Sequence, residues 1–123
     1  MTFRSFARAA IAACAILAVL PVRADAWPDR PIKFVMTAPA GSSIDVLGRA
    51  IADKLGPRLG QTIVVENKPA AGGTVATAEV AHAAPDGYTM LLGYNGPLSF
   101  APLLQKLPYD VKKDLAPVIT TTS

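Results

Sequence analysis

Apolar positions change period along the chain, and the changes outline an alternating strand–helix unit. Ile32 to Thr37 (IKFVMT) is a short, mostly apolar run of strand length. A Pro/Ala/Gly/Ser turn follows from Ala38 to Ser43. Ile44, Leu47, Ile51 and Leu55 then recur at helical spacing, and Gly56-Pro57 is expected to stop that helix. Ser42 or Ser43 can cap its start, with Asp45 in the first turn facing the positive helix end. The pattern then repeats. Thr62 to Glu66 (TIVVE) reads as a β-branched strand, Asn67 to Gly73 (NKPAAGG) as a glycine-containing turn, and Thr74 to Ala84 as an alanine-rich helix ended by Pro85-Asp86-Gly87. Tyr88 to Leu92 (YTMLL) is the third strand. Beyond Gly93, Pro97, Pro102, Pro108 and Pro117 break any long element, and Val118 to Thr120 could form a fourth short strand.

Strand–helix–strand–helix–strand order predicts an α/β fold with parallel pairing and right-handed crossovers. Strands this apolar should be covered on both faces, which two short helices alone do not achieve. The sheet is therefore expected to be incomplete.

The first 26 residues have a different character. Arg4 and Arg8 precede an apolar run of twelve residues, Ala9 to Leu20, and the small-residue triplet Ala24-Asp25-Ala26 closes the segment. A membrane span needs about 20 apolar residues, so this pattern predicts a secretory signal peptide, residues 1–26, cleaved after Ala26. An uncleaved anchor is the weaker alternative. Cleavage removes Cys14 and leaves residues 27–123 with nine basic and eight acidic side chains, net +1. The product is expected in a bacterial periplasm with no stable membrane anchor, no thiol chemistry and no charge that suggests nucleic acid.

In a parallel sheet the loops leaving the C-terminal strand ends share one edge, where ligands bind. Three such loops are expected here: Thr37 to Asp45, Asn67 to Thr74, and Gly93 to Leu98. The first two run into helix starts, whose unpaired N–H groups and dipole suit an anion, most simply a carboxylate. Gly41, Gly72 and Gly73 let backbone approach a ligand closely. Each residue also has a plainer role. Asp45 can be a first-turn stabiliser, Ser42 and Ser43 can be caps, and Asn67 can hold its own turn. Lys68 can be a solvated loop lysine, and His82 a surface or packing histidine. No catalytic elbow, phosphate-loop lysine, metal-ligand spacing or mature cysteine is present, so neither an enzyme nor a cofactor is expected.

At these loops the sequence resembles the extracytoplasmic solute receptors of tripartite tricarboxylate transporters, the Bug family. The resemblance is carried in family order by Trp27-Pro28-Asp29-Arg30-Pro31-Ile32, Asp45 to Arg49, Leu59-Gly60-Gln61, Val65-Glu66-Asn67-Lys68-Pro69 and Ala71-Gly72-Gly73. It continues through Ala84-Pro85-Asp86-Gly87-Tyr88-Thr89, Leu107-Pro108-Tyr109-Asp110 and Asp114-Leu115-Ala116-Pro117-Val118. It implies a two-domain periplasmic-binding-protein architecture that closes over a carboxylated solute for delivery to transporter membrane subunits. By resemblance, the site positions are Ala40, Gly41, Ser42, Ser43 and Asp45, then Ala71, Gly72, Gly73 and Thr74, with Asn95 and Gly96 beside the cleft. The chain departs from the family pattern where Thr37-Ala38 replaces a common Pro-Phe and Ser42 a common glycine.

Family members continue through a second domain. Residues 27–123 are accordingly read as the N-terminal part of the solute-binding domain: the parallel βαβαβ half of a periplasmic-binding-protein type II-like domain, second domain missing. Two other readings stand beside the receptor: a non-binding truncated remnant, and a small α/β phosphate- or nucleotide-binding fragment.

Overall fold

The computed structural model describes residues 26–121. The signal-peptide expectation, apart from Ala26, lies outside them. Three parallel strands form one sheet: β1 (Ile32–Met36), β2 (Ile63–Asn67) and β3 (Thr89–Leu92), in spatial order β2-β1-β3. Between them run α1 (Ser43–Leu59) and α2 (Thr74–Ala81), the latter entered through a tight 3-10 turn, Ala70–Gly73. A wide π-type turn (Gly96–Phe100) and two single-turn helices follow, α3 (Ala101–Leu104) and α4 (Val111–Asp114). The prolines named above keep each of these pieces to five residues or fewer.

β1 is central and its residues are the most deeply buried. Ile32, Phe34 and Met36 point to one face, where Ile44, Ile51, Leu55 and Leu59 of α1 pack with Ile63, Val65, Met90 and Leu92 of the flanking strands. Gly48 lets α1 lie directly on the Met36 side chain. The opposite face is covered by α2 and is more polar. There Lys33 of β1 reaches Glu66 of β2 (3.4 Å) and Glu79 of α2 (3.5 Å), and Lys68 pairs with both carboxylates. The sheet thus carries one helix per face. Edge strands β2 and β3 stay partly exposed, as expected for an incompletely covered parallel sheet.

α2 ends at Ala81 rather than Ala84, with His82 as its C-cap, and two further expectations are corrected. α1 does not stop at Gly56-Pro57 but continues to Leu59, one turn further. A proline disfavours helical backbone in the residue before it through contact with that residue's Cβ, and Gly56 has none. The missing Cβ also allows close passage of the chain entering β2, because a Cβ on Gly56 would lie 3.0 Å from the Gln61 carbonyl. The actual stop is Gly60, left-handed at φ 68°, whose N–H closes on the Gly56 carbonyl. The second correction concerns Val118 to Thr120. It forms no strand, and Val118 and Ile119 are each 81% exposed. Among the described residues no strand pairs with it.

At the other end, Trp27 and Arg30 clasp Tyr88 just before β3. The Arg30 guanidinium sits 4.0 Å over the Tyr88 ring, Arg30 pairs with Asp86 (2.8 Å), and the Tyr88 hydroxyl donates to Asp29 (2.6 Å). This clasp ties the lead-in to the end of the sheet opposite the loops that leave the carboxyl ends of the strands.

The α1 terminus generates a direct test. Gly60→Ala should destabilise the chain by about 1 kcal/mol, since only the left-handed backbone opposes the added methyl. Pro57→Ala should leave stability unchanged or raise it, by restoring a helical N–H. Urea unfolding of both variants would contradict the assignment if Pro57→Ala were the more damaging.

Candidate functional site

The strand order places the site. From β1 the chain moves to β2 on one side, then crosses back to β3 on the other, so β1 and β3 form the topological switch point. The loop leaving β1 runs into α1 and the loop leaving β3 into the Gly96–Phe100 turn, and the crevice between two such diverging loops is where open α/β sheets hold ligands.

Gly73 stands at the meeting of all three loops. A Cβ there would lie 2.7 Å from Thr37 Cβ, 2.9 Å from the Thr37 carbonyl and 3.3 Å from Pro97 Cγ. Its φ of 85° follows two further left-handed residues, Ala71 (φ 50°) and Gly72 (φ 63°). Ala71 is the only non-glycine with positive φ among the described residues, a conformation that costs an L-residue roughly 1–2 kcal/mol. This reversed turn delivers the chain into α2 with no side-chain cap at its start. The Thr74 N–H closes on the Ala71 carbonyl, and no capping side chain consumes the first-turn N–H groups that follow it. Thr37 is fixed beneath by its Oγ1, which donates to the Leu92 carbonyl (3.2 Å), and Thr77 Oγ1 donates to the Gly73 carbonyl (2.9 Å).

The start of α1 is organised differently. Ser42 is its N-cap: Ser42 Oγ accepts from the Asp45 N–H (3.3 Å) and donates to the Pro39 carbonyl (2.7 Å). Asp45 is 4% exposed, and its carboxylate is occupied by the protein's own donors. Gly41 N–H (2.8 Å), Arg49 Nε (3.0 and 3.1 Å) and Asn67 Nδ2 (2.9 Å) all donate to it. The Arg49 hydrogen bond, then those of Gly41 and Asn67, lower its pKa to about 2 against the opposing effect of burial. Asp45 thus builds the first loop from below, and the Gly41 N–H is spent inside it.

The loop edge holds an open cleft of about 290 Å³. Ala71, Gly72 and Thr74 form one wall, Tyr94 and Gly96 another, and Phe100, Leu104 and Gln105 its far side. The Tyr94 hydroxyl donates to the Gly72 carbonyl (3.1 Å) and closes the third loop onto the second. Of the residues expected from sequence, Ala71, Gly72 and Thr74 line this cleft and Gly73 lies buried below it. Ala40, Gly41 and Ser43 are exposed on the first loop, outside the lining, with Ser42 and Asp45 structuring that loop. Asn95 is exposed and outside the lining, whereas its neighbours Tyr94 and Gly96 belong to it.

Sequence reasoning did not single out Tyr94, Phe100 or Arg49. The glycines on both sides of Tyr94-Asn95 were the available signal for the first, since Gly96 leaves the space its ring occupies. Asn67 does more than hold its own turn, because it bridges to the first loop. Lys68 is not a free loop cation: it is bound by Glu66 and Glu79, which raise its pKa. His82 is exposed at the far end of α2, away from the loop edge.

A parallel α/β sheet with its helices on both faces is shared with periplasmic binding proteins of solved structure. The periplasmic binding protein BugD matches with TM-score 0.51 and 48% identity, over 53% of this chain and 22% of that one. An R. palustris protein determined with adipate matches with TM-score 0.62 and 31% identity, over 70% and 29%. A UPF0065 protein of Bordetella bronchiseptica is 50% identical over 103 residues, and BugT of Bordetella pertussis 44% over 100; these cover 83% and 80% of this chain. The chain spans 31% of the length of each of those two relatives. The profile of the tripartite tricarboxylate transporter family receptors matches residues 47–123. The chain belongs to that family, whose members are periplasmic solute-binding receptors. Among the described residues no helix is long and apolar enough to cross a membrane.

The Asp45 carboxylate supplies a pH test. Its lowered pKa means its contribution to stability is complete above the ordinary value of 3.8 and is lost as pH falls towards about 2. Asp45→Asn should be less stable than the parent at neutral pH, and the gap should narrow across that acid window. Glu66 and Asp110, also lowered, titrate in both proteins and cancel in the comparison. Unfolding curves at a series of pH values that remain parallel down to pH 2 would contradict the assignment.

Proposed function

We propose that this chain is the N-terminal part of a periplasmic solute receptor, exported by residues 1–26. It captures a small carboxylated solute and serves the membrane subunits of a tripartite tricarboxylate-type transporter. The observation that carries the reading is the start of α2 without a side-chain cap, presented by three successive left-handed residues at the wall of the cleft between the second and third loops. Backbone N–H groups in that setting favour an anion and need no cationic side chain. The start of α1 adds its own unpaired first-turn N–H groups across the β1–β3 boundary. By this reading the ligand-facing residues are Ala40, Gly41, Ser42, Ser43, Asp45, Ala71, Gly72, Gly73, Thr74 and Asn95. Asp45 serves through the loop it holds.

The relative determined with adipate supports a carboxylate as the solute class. A receptor role, rather than catalysis, is supported by the position of the chain's one histidine, exposed at the end of α2 remote from the loops. A charge-assisted hydrogen bond contributes roughly 1.5–3 kcal/mol, so the three or four donors of this edge approach micromolar binding only when water is excluded. The cleft is open, with Leu104 on its far side 83% exposed, so this chain by itself should bind weakly.

Calorimetric titration of residues 27–123 with mono-, di- and tricarboxylates tests the reading, after circular dichroism establishes that the sample is folded. Saturable heat from a carboxylate, with a dissociation constant weaker than about 10 μM, is expected. A folded sample that gives heat with nucleotides and none with carboxylates would overturn it in favour of a phosphate-binding fragment. A folded sample that responds to neither would favour the non-binding remnant.

A further inference from the structure

The tip of the first loop, Pro39 to Gly41, is exposed between the buried Ala38 and Ile44, which packs on the core. A local turn stiffens it, with the Ser42 N–H and Oγ both donating to the Pro39 carbonyl (3.2 and 2.7 Å). What joins that tip to β2 and α1 is polar. Asn67, the last residue of β2, pairs in register with Met36 of β1, which places its side chain beside the chain as it leaves β1. Asn67 Nδ2 donates to the Ala38 carbonyl (3.1 Å) and to Asp45 Oδ1 (2.9 Å), while its Oδ1 accepts from Arg49 Nη2 (3.0 Å). Both oxygens of Asp45 are reached by Arg49 Nε, and Oδ2 also accepts the Gly41 N–H. The loop is therefore held at two points, the Ala38 carbonyl and the Gly41 amide, by one connected set of three side chains.

We propose that Asn67 and Arg49 are positioning residues of the solute site, acting through the Asp45 carboxylate to hold the first loop in its ligand-facing shape. The proposal rests on the receptor reading for the use to which that loop is put. The two residues act by different physical means. Asn67 supplies geometry: its amide group is fully used, and reversing it would set its NH₂ against a guanidinium and its oxygen against two oxygens. Arg49 supplies geometry and charge. An arriving carboxylate approaches the start of α1, where Asp45 already carries a negative charge, and the guanidinium beside it neutralises that charge. Removal of Asn67 should loosen the loop without changing the local charge. Arg49→Lys should keep the charge and lose the fork that joins Asp45 to Asn67.

Amide hydrogen exchange of the ¹⁵N-labelled chain, followed by NMR, separates positioning from general destabilisation. The protein is compared with Asn67→Ala, with Arg49→Lys, and with Tyr88→Phe, a control that loses its hydroxyl bonds at the opposite edge of the sheet. In Asn67→Ala and Arg49→Lys, exchange at Gly41 should accelerate by about tenfold or more relative to Val35 in the centre of β1, reflecting local opening. In Tyr88→Phe the ratio of the two should stay as in the parent. Adipate, used as the probe, should bind Asn67→Ala about tenfold more weakly than the parent while Tyr88→Phe binds as the parent does. Gly41 and Val35 accelerating together in both site variants would overturn the proposal, as would unchanged adipate affinity in a loop shown to have opened. If Asn67→Ala does not fold, Arg49→Lys carries the same exchange comparison. A parent chain that binds no carboxylate at all would overturn the receptor reading, and the Gly41 ratio would still decide whether these two residues hold the loop.

Discussion

A buried carboxylate sets the terms for this edge of the molecule. Asp45 is nearly inaccessible to solvent, and an ionised group in that position is tolerated only when its oxygens are satisfied. The satisfying donors come from three separate pieces of chain: Gly41 in the first loop, Arg49 one turn along α1, and Asn67 at the end of β2. Meeting that electrostatic demand fixes the entry of α1, the height of the first loop above the sheet, and the end of β2 together. It also determines what the loop can offer a ligand. The Gly41 N–H is committed inward, which leaves the first turn of α1 as the proposed source of donors on this side.

The second loop solves a different problem. α2 must begin over the opposite face of the sheet from α1, and the chain must cross the end of β1 to get there. It passes so close to Thr37 and Pro97 that only glycine fits at position 73. The left-handed turn from Ala71 to Gly73 makes that crossing and leaves α2 without a capping side chain. A packing constraint and an anion-binding disposition thus arise from the same three residues. Tyr94 completes the arrangement by bonding to the Gly72 carbonyl, which joins the crossing loop to the segment after β3.

Much of this was legible in the residues. The three strands stand out because a parallel sheet buried at its centre needs short β-branched and apolar runs, and Ile32–Met36, Ile63–Asn67 and Thr89–Leu92 lie within a residue of where those runs fall. The helix starts were legible through Ser42 and the glycines before Thr74. The end of α1 was not, because the usual effect of proline on its predecessor depends on a Cβ that Gly56 lacks. Asn67 and Tyr94 were obscured for a common reason. Their partners lie 22 residues away in sequence, and no local spacing reveals a contact made across the sheet edge. Val118-Ile119 illustrates the converse, an apolar pair with strand composition that has no strand beside it among the described residues.

The most direct measurement of the central claim is an NMR titration of the ¹⁵N-labelled chain with adipate, set against its uncharged diamide. Capture of a carboxylate by backbone N–H groups at the two helix starts predicts saturating shifts concentrated at Ser43, Ile44, Gly72, Gly73 and Thr74. It also predicts little response to the diamide. Shifts centred on the exposed Lys112 and Lys113, or an equal response to the uncharged compound, would contradict it.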